Sequence, residues 1–284
     1  MKLGLLANTS RSGAGAVITE ILNWAKKAGV ETLIFSDGAL PASGGTTVSE
    51  EELAAKADVV LALGGDGTIL RTARAVGGSQ KPILGINTGG LGFLAELSNQ
   101  NVTAALDALK KGEYRLEERM VLLADIKTTG QKFFALNDVV VEKGEVRRLL
   151  KLSLAANGEY ICSYASDGLI IATPTGSTAY SLSVGGPIIN PKMALTIVVP
   201  ISPHSLASRP LIFEPGDVLE VTLSQPDKEA FLTVDGQVSV KITSADRLVV
   251  RQAPHTIRLI RFKEKSFYEV LRSKLHWGVL PGEK

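Results

Sequence analysis

Asp58-Val59-Val60-Leu61-Ala62-Leu63-Gly64-Gly65-Asp66-Gly67-Thr68-Ile69-Leu70-Arg71 is the stretch that decides the fold. Asp58–Leu63 reads as a strand whose apolar run shows no alternation, which requires burial on both faces. The glycines then allow a tight turn, and Thr68–Val76 carries helical spacing. The same alternation recurs on both sides of this stretch. Lys2–Ala7 is a short apolar strand, and Ala16–Ala28 places Ile18, Ile21, Leu22 and Ala25 on one helical face before Gly29. Val30–Phe35 reads as a strand, and Thr46–Ala57 as a helix begun by Ser49, with Glu52 completing a capping box. Pro82–Ile86 is a further apolar strand and Val102–Lys111 a further helix. Strands buried on both faces and separated by helices predict a doubly wound, Rossmann-like α/β domain.

Beyond that helix the period changes to two. Leu219, Val221 and Leu223 alternate with polar residues, as do the runs Met120–Lys127, Phe133–Glu142, Leu149–Ala155, Arg247–Arg251 and Thr256–Phe262. Successive strands without intervening helices predict an antiparallel β-rich, β-sandwich-like domain. Ser266–Trp277 returns to helical spacing through Phe267, Val270, Leu271 and Leu275. A lone amphipathic helix must bury its apolar face, and the first domain is the expected place. The expected division is therefore 1–115 plus 264–284 for the α/β domain and 116–263 for the β-rich domain.

Composition narrows the function classes. The 284 residues carry 31 Lys and Arg against 29 Asp and Glu, a net charge of +2 that provides no electrostatic footprint for nucleic acid or an acidic membrane. Nothing approaches the ~18 apolar residues of a membrane helix. The start, Met1-Lys2-Leu3-Gly4, reads as a strand rather than a signal peptide. Cys162, the one cysteine, excludes an internal disulfide and reads as a buried strand thiol, so a cytoplasmic location is expected. Three separated histidines form no zinc spacing. Of the 28 glycines, 13 fall within Gly64–Gly92 and Asp167–Gly186.

Those two clusters carry the candidate chemistry. A strand that ends in glycines and opens a helix brings backbone N–H groups and a favourable dipole to a phosphate. Asp66 is the unusual member, since a carboxylate beside phosphate is repelled unless it holds a cation or receives a proton. The competing reading is an ordinary helix N-cap. Asn87–Phe93 follows a second strand end and would line the same crevice, although Leu91 stands where a P-loop needs Lys. Ser10–Gly15 lacks a full dinucleotide fingerprint. The second cluster, Asp167–Pro187, is dense in hydroxyls, with Thr173–Thr178 a loop and Ala179–Val184 a short helix, a surface suited to ribose, amide and base edges. No serine there has the glycine flanks of a nucleophile elbow.

Gly64-Gly65-Asp66-Gly67-Thr68, Asn87–Phe93, Leu136-Asn137-Asp138, Asp167–Pro187 and Val234-Asp235-Gly236-Gln237, in that order, closely resemble the NAD kinase family. The first motif is shared with diacylglycerol-type lipid kinases and 6-phosphofructokinases, whereas Thr173–Tyr180 is far more specific. The resemblance implies transfer of the γ-phosphate of ATP to the 2′-hydroxyl of the adenosine ribose of NAD, with Mg²⁺ accompanying ATP. It implies that Asp66 is the general base and Gly67 a neighbouring backbone contact, and that Arg71 is a basic position inside the following helix. Asn137 and Asp138 match an Asn–acid pair at the NAD site, where many relatives carry Glu second. Asp167, Thr178, Ala179, Tyr180 and Ser183 match dinucleotide contacts. Gln237 and Arg148 match weaker positions, and Arg148 is equally readable as a solvated strand charge. A carboxylate at the positive end of a helix is a weak base, which leaves orienting the hydroxyl or holding metal as other roles for Asp66. Relatives form dimers or tetramers, so a homodimer or homotetramer is expected. The rival readings are a lipid or sugar kinase sharing the turn, and a non-catalytic nucleotide-sensing module.

Overall fold

The structure is a computed structural model that describes residues 1–10, 13–36, 44–90, 92–144, 149–225, 229–262 and 266–275. The chain divides into two compact units, Met1–Glu118 with Ile257–Lys284, and Arg119–Thr256.

Along the chain the first unit contains β1 (Lys2–Ala7), α1 (Ala14–Ala28), β2 (Glu31–Ser36), β3 (Thr46–Thr47), α2 (Glu50–Lys56), β4 (Val59–Gly64), α3 (Asp66–Val76), β5 (Ile83–Asn87), β6 (Leu97–Ser98), α4 (Val102–Lys111) and β7 (Arg115–Arg119). The second contains β8 (Leu122–Ile126), β9 (Gln131–Ala135), β10 (Asp138–Lys143), β11 (Leu150–Ala156), β12 (Glu159–Ser166), β13 (Gly168–Ala172), α5 (Tyr180–Ser183), β14 (Thr196–Ile201), β15 (Leu211–Phe213), β16 (Leu219–Leu223), β17 (Glu229–Val234), β18 (Val238–Thr243) and β19 (Arg247–Gln252). The chain then supplies β20 (Ile257–Arg261) and α6 (Phe267–Leu275).

The first sheet runs β3-β2-β1-β4-β5-β20-β7, with β6 also on β5. β1 pairs parallel with both β2 and β4, and β4 with β5. The strand order reverses between β1 and β4, the switch point at whose carboxyl ends doubly wound sheets bind ligands. β4 is buried throughout, the reason for its unbroken apolar run. Leu3, Leu5, Leu61, Leu63, Leu84 and Ile86 share one core with Ile18, Ile21 and Leu22 of α1 and Leu106 of α4.

Three expectations change here. Thr46–Thr47 does not open the helix but pairs with Leu33–Ile34 as a short parallel strand, and α2 begins after Ser49, which does form the capping box with Glu52. α3 begins at Asp66, two residues before the expected start. β20 alternates in sequence like the antiparallel strands, yet it pairs parallel with β5 through Leu259 and Ile83. The polar residues that give β20 its alternation are Arg258 and Arg261, yet Arg261 is buried and the strand lies inside the sheet between β5 and β7, so polarity in the sequence does not mark an exposed face here.

In the second unit two antiparallel six-stranded sheets run β15-β14-β13-β10-β17-β18 and β12-β11-β16-β19-β8-β9 among the described residues. Leu152, Leu154, Val221 and Val250 from one sheet and Val139, Val141, Leu169 and Leu232 from the other form a single core. The run Phe133–Glu142 is two strands, broken at Leu136-Asn137. β13 is buried on both faces because Ile170 and Ala172 belong to a second apolar cluster, with Leu195 and Ile197, against which Val184 and Ile189 pack. Cys162 is half-buried on β12, less enclosed than expected. No helix among the described residues is long and apolar enough to cross a membrane.

Candidate active site

In the first unit the site is built at the end of β4. Gly65, with extended backbone, is the N-cap of α3, so Asp66 is the first helical residue and not a cap. Its carboxylate reaches the loop after β5, where Oδ2 accepts Phe93 N–H at 2.9 Å and Oδ1 accepts Leu94 N–H at 3.2 Å. The two loops expected to line one crevice are thus bonded to each other through Asp66. Gly92 makes the approach possible, since a Cβ there would lie 2.1 Å from Asp66 Oδ1. Asn87 shapes the same loop, donating from Nδ2 to Gly90 O at 2.6 Å and accepting Gly89 N–H at 2.8 Å. Each oxygen of Asp66 keeps a further lone pair after its amide bond. Gly67 is exposed on the first turn of α3.

Arg71 lies one turn further along α3. Its Nε donates to Glu50 Oε2 at 2.8 Å and its guanidinium sits 4.9 Å from the Phe35 ring centroid. A phosphate would therefore compete with Glu50 for this charge.

In the second unit the site gathers around the start of β10. Asp235, with φ 51° in the turn between β17 and β18, is the residue that organises it. Its Oδ1 accepts Asn137 N–H at 2.7 Å and Asp138 N–H at 3.1 Å, and its Oδ2 accepts Leu136 N–H at 3.0 Å. Asp235 N–H donates back to Asp138 O at 2.9 Å. Thr173 ties the loop after β13 to the same place, with N–H to Asn137 O at 2.8 Å and Oγ1 to Leu136 O at 2.6 Å. Gly176 crosses so close that a Cβ would lie 2.1 Å from Asn137 O.

Asp138 is buried, and its carboxyl is pushed up to about 7 by burial first, then by the charges of Asp235 and Glu142. Tyr180, exposed on α5, has its hydroxyl raised above the ordinary phenol value by partial burial and by Glu142, Asp167 and Asp138. These groups thus lie within electrostatic reach of one another. Asp167 is ion-paired with Lys143. Thr178 Oγ1 donates to Thr175 O at 3.3 Å, Ala179 joins the 3₁₀ turn Gly176–Thr178 to α5, and Ser183 is exposed at the end of α5. Gln237 is exposed in the Asp235 turn, its N–H donating to Val234 O at 2.9 Å. Arg148 lies outside the described residues.

The hydroxyl-rich stretch divides into two roles. Thr173 and Ser177 hold the loop together, the latter donating to Pro174 O and accepting Ile189 N–H, while Thr175 meets the buried Arg119 at 3.3 Å. The organising roles of Asp235 and Thr173 are not readable in the sequence. The Asp-Gly pair between alternating runs signals a turn, but three amides from a different strand cannot be read from it.

A Rossmann-like sheet with a carboxylate-bearing glycine turn at its switch point, and a sandwich unit with a buried acid and a polar loop, define a nucleotide-binding protein. Comparison with known proteins narrows the class. Residues 3–114 match the family model of the ATP-NAD kinase N-terminal domain and residues 136–262 that of the ATP-NAD kinase C-terminal domain. The NAD kinase of Moorella thermoacetica is 41% identical over 283 residues, covering 98% of this chain and 90% of its own, and that of Geotalea daltonii is 37% identical over 280 residues, covering 98% and 99%. The crystal structure of an NAD kinase from Archaeoglobus fulgidus in complex with ATP superposes with a TM-score of 0.78 at 26% identity, covering 97% of this chain and 99% of its own. Yeast NADH kinase complexed with NADH shares the fold, with a TM-score of 0.87 at 23% identity, covering 100% and 90%. The chain belongs to the ATP-NAD kinase family.

Proposed function

We propose that the protein is an NAD kinase, a phosphotransferase that moves the γ-phosphate of ATP to the 2′-hydroxyl of the adenosine ribose of NAD and releases NADP and ADP. The observation that carries this reading is family membership along nearly the whole chain, together with Asp66 held at the glycine turn of the switch point. The ribose oxygen forms a bond to the γ-phosphorus as the bond to the β-phosphate oxygen breaks, and the hydroxyl proton passes to the Asp66 carboxylate. The amides of Phe93 and Leu94 fix that carboxylate, so the proton acceptor is oriented before the substrate arrives. Gly67 and the first turn of α3 favour the anionic phosphates. Asn137, Asp138, Asp167, Thr178, Ala179, Tyr180, Ser183 and Gln237 are the proposed dinucleotide contacts, with Arg71 and Arg148 as further basic candidates.

Among the described residues no three His, Cys, Asp or Glu side chains converge on a metal position. A cation carried in by phosphate oxygens and water needs only one or two carboxylates, and the remaining lone pairs of Asp66 suit it. Mg²⁺ bound with ATP would neutralise phosphate charge. A cytoplasmic location and a homodimer or homotetramer complete the proposal. Incubation with Mg-ATP and NAD followed by an NADP assay is the test. NADP formation is expected. Tight NAD binding without product would overturn the reading in favour of a sensor, and phosphorylation of a lipid or sugar but not NAD would do so in favour of the other kinases.

A further inference from the structure

The segment Phe93–Glu96 is tied down at both ends, and the ties lead to a residue far along the chain. Leu94 donates its N–H to Asp66 at 3.2 Å and accepts Arg261 Nη1 on its carbonyl at 3.0 Å. Arg261 is buried at the end of β20, its Nη1 3.3 Å from Glu96 Oε2, and its Nε and Nη2 at 3.3 and 3.2 Å from Glu117 Oε1. Glu96 in turn accepts Phe262 N–H at 3.0 Å, and its own N–H donates to Gly85 O at 3.0 Å in β5. Both polar backbone groups of the buried Leu94 are therefore engaged, one by the reacting carboxylate and one by the guanidinium.

A buried ion cluster of this kind is weak evidence for stability, because apolar side chains of equal volume commonly serve as well. What a guanidinium offers and an apolar residue does not is a rigid fork of donors that fixes several acceptors at once. Here the fork spans a carbonyl and two carboxylates, and it sets where the Leu94 backbone stands. Displacing Leu94 would carry the Asp66 carboxylate with it.

We infer that Arg261, held by Glu96 and Glu117, is a positioning residue for Asp66, acting through the Leu94 backbone. Its catalytic consequence rests on the NAD kinase reading; the coupling itself does not. The last strand of the unit thereby bears on the orientation of the proton acceptor, 195 positions away in sequence. Arg261 itself touches no reacting atom.

The test uses the full chain with Arg261→Lys, which keeps a cation and loses the fork, and Glu117→Gln, which removes the less buried of the two carboxylates. Two quantities are read: kcat and KM for NADP formation, and hydrogen exchange at the Phe93 and Leu94 amides. The expected result is a kcat lower by about tenfold to a hundredfold with KM for NAD and ATP little changed. Exchange at Leu94 should accelerate by about tenfold while Leu84 and Ile86 in β5 keep their protection. In an Asp66→Asn background Arg261→Lys should add little further loss, since coupled positions are not additive. Unchanged kcat and exchange in a folded variant, a change in KM alone, or the same loss in both backgrounds would overturn the inference. Should Arg261→Lys fail to fold, Glu117→Gln decides by the same readouts. A wild-type protein that makes no NADP would remove the kinase reading, while the exchange measurement still decides the coupling.

Discussion

Asp66 and Asp138 are both carboxylates, and their surroundings set them to different work. Asp66 accepts two loop amides and faces the phosphate-type turn, so Asp66→Asn can satisfy only one of the two with an oxygen. The variant is expected to fold, to lose a little stability and to lose about 10²-fold or more of kcat, the usual scale for removing a positioned general base. Near-normal turnover would sink the assignment. Asp138 has lost solvent and sits near Asp235 and Glu142, which raises its carboxyl to about 7. The folded value lies above the unfolded one, so the neutral form favours folding: this stability is complete below the unfolded value near 3.8 and is lost as pH rises through about 7. Asp138→Asn removes the charge that must be buried above that pH. Its melting temperature should exceed the wild-type value by more at pH 8 than at pH 5, and an equal difference at both would contradict the assignment. The identity of both acids was legible in the motifs. Their opposite environments were not, because Asp235 reaches Asp138 from a turn 97 residues later.

The elements were legible where burial follows from local pattern. The unbroken apolar run of β4, the capping box of α2 and the spacing of α4 each declare themselves in a few residues. β20 did not, because Arg258 and Arg261 give it the alternation of a sandwich strand although Arg261 is buried, and only its pairing with β5 places it in the first sheet. The loop after β5 belongs to the same scale. Its backbone passes Asp66 without room for a side chain at Gly92. Gly92→Ala should therefore shift the Phe93 and Leu94 amides and lower kcat well over tenfold (on the order of what an ångström of misplacement costs) with a smaller change in KM. Steady-state kinetics on the folded variant check this, and an unchanged kcat would show that the loop relaxes freely.

For the molecule as a whole, the second unit leaves edges in both sheets. β12 is an edge strand that exposes Tyr160 and Ile161, and β15 is another that exposes Ile212. Exposed apolar edge strands are templates for pairing with another chain. Light scattering is expected to give two or four times the 30.1 kDa chain mass, and Ile161→Lys should shift the population toward smaller species. A wild-type monomer at micromolar concentration would contradict this.

By itself the sequence determined the two-part architecture, the glycine turn that closes β4 and the family, because periodicity and motif are properties of neighbouring residues. Thirteen of the 28 glycines fall within the two short stretches Gly64–Gly92 and Asp167–Gly186. Only the tertiary structure decided that Asp66 is clamped by the Phe93–Leu94 backbone, that Asp235 holds three amides around Asn137, that Arg71 is engaged by Glu50, and that the last strand joins the first sheet. Those are contacts between residues 21 or more positions apart, and their geometry depends on how sheets and loops pack rather than on any local preference.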